Sequence, residues 1–138
     1  MAWPVPYDQL DQEMVNVVRL LNETGIVRTT GCCAGHKIDH PAYIGLSLVD
    51  DGAWETRLLP AICEVNAHLS DVNLEVRKRY FNREPGRTIA DWCIVIEPHP
   101  GSETYEETRR RIDEAIKRLE EELVRFVERE GVGLALRG

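Results

Sequence analysis

No stretch of the 138-residue chain approaches the roughly 20 consecutive apolar residues that a membrane-spanning helix needs. Met1–Tyr7 lacks the basic-then-apolar order of a secretory signal. Cysteine is sparse: Cys32, Cys33, Cys63 and Cys93 are too few for a disulfide-built domain. Vicinal Cys32 and Cys33 are also poorly placed to bond with each other without backbone strain. These absences predict reduced thiols, a cytoplasmic location and no membrane partner. Basic side chains are outnumbered as well, 17 against 24 acidic ones, for a net charge of −7. A generally basic nucleic-acid binder is therefore disfavoured. No Ser–His–Asp triad order, P-loop or dinucleotide fingerprint is present.

What is there fits one domain over 1–138, since 43% of the residues are hydrophobic and 10 Gly plus 7 Pro are too few for a disordered chain. Asp8 reads as an N-cap, Leu10, Met14, Val17, Val18 and Leu21 as one helical stripe, and Gly25 as the residue that ends it. Ile26–Thr30 switches to β-branched residues and predicts a strand, followed by a loop over Gly31–Pro41. Ala42–Val49 alternates, with Ala42, Ile44, Leu46 and Leu48 on one side and Tyr43, Gly45 and Ser47 on the other. Asp50-Asp51-Gly52 marks a turn. Trp54, Leu58, Ile62, Val65 and Leu69 then recur at helical spacing, and Pro60 starts or kinks that helix.

Val72–Phe81 and Ile89–Glu97 predict two further strands joined through Asn82–Thr88 as an antiparallel hairpin. Trp92, Ile94 and Ile96 are expected to face the core. Ile112, Ile116, Leu119, Leu123 and Phe126 repeat at four, three, four, three within a helix expected between Ser102 and Glu130. Unbroken, it would be roughly 42 Å long, enough for one end to project or to pack on a second subunit. The order is αββαββα. It predicts a two-layer α+β domain, a mainly antiparallel four-stranded sheet with helices on one face and a long C-terminal helix.

Residues 29–41 read Thr-Thr-Gly-Cys-Cys-Ala-Gly-His-Lys-Ile-Asp-His-Pro, a glycine-rich connection dense in thiols and imidazoles. Cys33-x2-His36-x3-His40 supplies soft and borderline ligands for zinc or another transition metal, with Cys32 as a further ligand. Gly31 and Gly35 permit positive φ and a close backbone approach, so that amides near Thr30 could hold a small anion. A reactive thiol is a further reading, with His36 lowering the pKa of Cys32 or Cys33. The plain alternative is a tight connection whose cysteines face inward as small hydrophobes.

Thr29-Thr30-Gly31-Cys32-Cys33-Ala34-Gly35-His36 resembles the Thr-Thr-Ser-Ser-Cys-Ser-Gly-Arg signature of the tRNA wybutosine-synthesizing protein 3 family. It is also similar to the Cys-x-Gly-His segment of short uncharacterised bacterial and phage proteins. Thr29, Thr30, Cys33 and Gly35 match the first signature, whereas Gly31, Cys32, Ala34 and His36 depart from it. The resemblance implies an S-adenosylmethionine-dependent RNA-modifying methyltransferase, with S-adenosylmethionine as cofactor.

Asp71–Thr88 is the only locally positive stretch, with 5 bases against 3 acids. Arg77 and Arg79 there are candidate ligands for phosphate, carboxylate or a nucleic-acid backbone. The plainer expectation is that they oppose Asp91 and Glu97 across the hairpin. His99, between two prolines, is a weaker candidate. Three functions stay open: a protein binding a metal ion or small anionic ligand through Gly31–His40, the methyltransferase-like enzyme, and a homodimeric interaction module seamed along the C-terminal helix with a purely structural loop.

Overall fold

The computed structural model describes residues 12–33, 42–70, 72–98 and 104–130. Helix α1 spans Val15–Glu23, β1 Val27–Cys33, β2 Ala42–Leu48, α2 Asp51–Ala53, α3 Leu59–Val65, β3 Val72–Glu84, β4 Arg87–Pro98 and α4 Tyr105–Glu130. The four strands make one sheet in the order β1-β2-β4-β3, with every neighbouring pair antiparallel. β4 therefore lies inside the sheet, and β3 forms an edge reached from β2 by the α2–α3 crossover. The α+β class and the αββαββα order agree with the hydrophobic periodicities.

Alternation sorts the strand residues between two environments. Ala42, Ile44 and Leu46 of β2, Ile94 and Ile96 of β4, and Val72 and Leu74 of β3 face the helices, each at most 3% exposed. They join Val17, Val18 and Leu21 of α1, Ile62 and Val65 of α3, and the inner stripe of α4 in one hydrophobic cluster. Each large aliphatic buried there contributes roughly 1.5–3 kcal/mol.

α4 has 26 residues, about 39 Å of helix. Its start is capped by Thr104, whose Oγ1 accepts the Glu107 N–H at 3.1 Å. Ile112, Ile116, Leu119, Leu123 and Phe126 are all buried, packed with α1 and α3 of the same chain. The Arg57 guanidinium lies 3.6 Å from the Glu130 carboxylate and ties down the C-terminal end. The expected projection is thus not seen among the described residues. The stripe read as a dimer seam is taken up by the chain's own core.

Several boundaries differ from the sequence reading for local reasons. The strand expected at Ile26–Thr30 runs on through Gly31, Cys32 and Cys33, because a bulge between Thr29 and Gly31 lets the ladder continue against Tyr43–Gly45. Gly31 consequently lies in a strand, and its φ is not positive; that conformation belongs to Gly25 (φ 71°) and Gly86 (φ 76°). The β3–β4 connection shrinks to Pro85-Gly86, with Glu84 paired to Arg87. Proline followed by a glycine of positive φ is the chemistry of a tight type II turn. Asp50 does not end in a simple turn either: its Oδ1 accepts the Ala53 N–H at 3.0 Å and caps α2. Pro60 has no N–H to donate, and the turn before it, Trp54–Leu58, widens to π geometry before α3 begins. No helix among the described residues is long and apolar enough to cross a membrane.

Candidate functional site

The face of the sheet turned away from the helices carries a cleft of about 420 Å³, lined from all four strands. β1 supplies Thr30 and Gly31, β2 Tyr43 and Gly45, β3 Arg79, Phe81 and Arg83, and β4 Asp91. Strand register makes this meeting. Gly31 pairs with Gly45, Gly45 with Cys93, and Arg79 with Asp91, so two stretches about 50 residues apart in sequence share one surface.

The floor is glycine for a steric reason. A Cβ on Gly45 would sit 2.5 Å from the Thr30 hydroxyl and 3.7 Å from Nη2 of Arg79. The first distance is a clash and the second an ordinary contact, so it is the Thr30 hydroxyl that a side chain here would displace. A Cβ on Gly31 would meet nothing within 4 Å, so that glycine keeps the cleft open without being required by the fold. The bulge that presents Thr30 is anchored from α1. Asn22 accepts the Thr29 N–H at 3.1 Å and donates to the Thr29 hydroxyl at 2.9 Å and to the Val18 carbonyl at 2.8 Å.

Arg79 is held by a two-point hydrogen bond, Nε to Oδ1 and Nη2 to Oδ2 of Asp91, both at 2.8 Å. Those bonds push the guanidinium pKa further up and fix its plane. Its Nη1 has no partner among the described residues, and the side chain is 50% exposed. Arg83 lies over the Phe81 ring at 5.3 Å and forms no ion pair among the described residues. Arg77 is arranged differently. It bridges Glu75 (2.8 Å) and Glu97 (2.9 Å), lies outside the cleft lining, and is raised in pKa first by its bond to Glu75. The expected cross-hairpin pairing of both arginines is thus observed, yet only Arg79 reaches the cleft.

The predicted metal set is only partly within view. Cys32 is half-buried opposite Ile44 and packs against the core, on the helix side of the sheet. The side chain of Cys33, and all of Gly35, His36, His40 and His99, lie outside the described residues. Among the described residues no group of three or more His, Cys, Asp or Glu is placed to hold a metal ion. Cys93 is 5% exposed, and burial pushes its thiol up; partial burial does the same for Cys63. Neither is a favoured thiolate nucleophile.

Sequence reasoning missed Tyr43 and Gly45 as lining residues. A glycine at an outward position of an alternating strand was the available signal for Gly45. Fold and cleft together define an α+β domain whose described helices cover one face of the sheet and whose other face carries the cleft. No family model, curated protein or solved structure matches the chain.

Proposed function

We propose that this protein binds a small anionic ligand on the open face of its sheet, at the foot of the Gly31–His40 segment. The observation that carries this reading is the convergence of Thr30 and Gly31 with Arg79 and Arg83 over the side-chain-free floor at Gly45. Arg79 offers a fixed guanidinium edge, Arg83 a second cation, and Thr30 a hydroxyl. Tyr43 and Phe81 supply flat walls for an aromatic or otherwise planar body. Two arginines against Asp91 leave the cleft locally cationic. The chain's net charge of −7 opposes this weakly, because charges beyond about 8 Å are screened at physiological salt.

Isothermal titration with inorganic phosphate, adenosine monophosphate and benzoate tests the reading, with zinc and S-adenosylmethionine titrated in parallel. At least one of the three anions should bind, and Arg79→Ala or Gly31→Val should abolish that binding with the fold intact. Binding of zinc or S-adenosylmethionine with no anion bound would instead favour the metal or methyltransferase alternative. No binding of any anion, or anion binding that survives both substitutions, sinks the proposal.

A further inference from the structure

A second cleft, of about 360 Å³, lies on the helix-facing side, between the π turn and the β3–β4 hairpin. Its floor is apolar: Leu48, Leu59 and Trp92, with Trp54 set edge-on to Trp92 at a centroid distance of 5.4 Å. Trp54 is 1% exposed, and its indole N–H has no acceptor among the described residues. A buried donor left in that state is costly to a fold and recurs where a ligand or ordered group completes the bonding.

The rim carries three charges without an ion-pair partner among the described residues. Lys78 lies over the rings of Trp92 (5.6 Å) and Tyr80 (5.3 Å) and forms no ion pair among the described residues. Asp51 and Glu55 border the same cleft, also without an ion-pair partner there. A simple anion entering would meet two carboxylates, and a simple cation would meet Lys78. A molecule carrying both signs on an apolar body answers all three groups.

We infer that the helix-side cleft is a second binding site, separate from the open-face cleft, for a small zwitterion of the apolar amino-acid class. Its carboxylate is placed toward Lys78 and the Trp54 N–H, its ammonium toward Asp51 and Glu55, and its side chain on Leu48, Leu59 and Trp92. A volume of 360 Å³ falls in the range of small-molecule sites.

The test is titration of the full chain with L-phenylalanine and L-leucine, followed by heat and by tryptophan emission. 3-Phenylpropionate and phenethylamine serve as the single-charge controls. Phenylalanine should bind at least about tenfold tighter than either control. Lys78→Met and Glu55→Gln should each weaken it. Trp54→Phe should weaken binding about tenfold and lower the thermal midpoint, because the smaller ring leaves a cavity in the core. Gly31→Val, which fills the other cleft, should leave phenylalanine binding untouched. Absence of phenylalanine and leucine binding, equal affinity for the single-charge controls, or unaltered binding by Lys78→Met and Glu55→Gln would each overturn the inference.

Discussion

The two faces of β2 are built from interleaved residues of one seven-residue strand, yet they obey different rules. Ala42, Ile44 and Leu46 point to the helices and are at most 1% exposed. Tyr43, Gly45 and Ser47 point the other way: Tyr43 and Ser47 are exposed, and Gly45 is the buried floor of a cleft walled by arginine, threonine and aspartate. The first face is selected by volume and dryness. The second is selected by what must be left out: a side chain at Gly45 and, among the described residues, a helix over the sheet and a counter-ion for Arg83. Stability and ligand binding should therefore respond to separate sets of substitutions.

The largest effect is expected on the covered face. Phe126→Ala removes a ring with 0% exposure from the α4 stripe and should cost about 3–5 kcal/mol, measured by urea unfolding. A loss under 1 kcal/mol would show that α4 is not packed as described. Next comes the floor of the open face. Gly45→Val forces a Cβ against the Thr30 hydroxyl and should destabilise by about 1–3 kcal/mol, of which Thr30→Ala in the same chain should recover part. Simple additivity of the two changes would break the steric account of the floor.

Smaller still is Asp91→Ala, since Arg79 is half exposed: about 1 kcal/mol or less in stability. Its effect on anion affinity should be larger than its effect on unfolding, because it releases the plane of Arg79. Equal losses would mean that the pair is structural only. The smallest signal is a pH dependence. Cys93 has a folded pKa above that of the unfolded thiol, chiefly through burial. Above the unfolded value the unfolded chain releases a proton that the folded chain retains, so stability present below about pH 9 falls as pH rises further. Cys93→Ala should flatten that alkaline decline, and an unchanged slope would assign it to other groups.

Much of the covered face is readable in the sequence. The stripe of α4, the alternation of β2 and the inward set Trp92, Ile94 and Ile96 follow from periods of 3.6 and 2 that burial itself imposes. The open face is less readable because it depends on register. That Thr30 meets Arg79 is decided by strand order and by which residue of β2 lies beneath them, neither of which leaves a local mark. The choice between Cys32 and Cys33 shows the same difficulty. Counting by twos from Val27 would put Thr29, Gly31 and Cys33 on the helix side. The bulge changes the parity, and Cys32 takes the place opposite Ile44. The sequence locates the hairpin turn at Pro85-Gly86 but reads the connection too wide, because Asn82 and Glu84 are poor strand formers that pair only as the ladder extends to them, past an irregularity at Arg83.

Thr30 is the extra link in that bulge, standing between two residues that face adjacent positions of β2. A chain lacking it would still set Thr29 against Leu46 and Gly31 against Gly45, in a more regular ladder. Insertion of one residue thus leaves the pairing beyond it in phase and adds a single hydroxyl to the open surface. In the economy of the fold Thr30 is surplus, and its deletion would test function with the least disturbance to architecture.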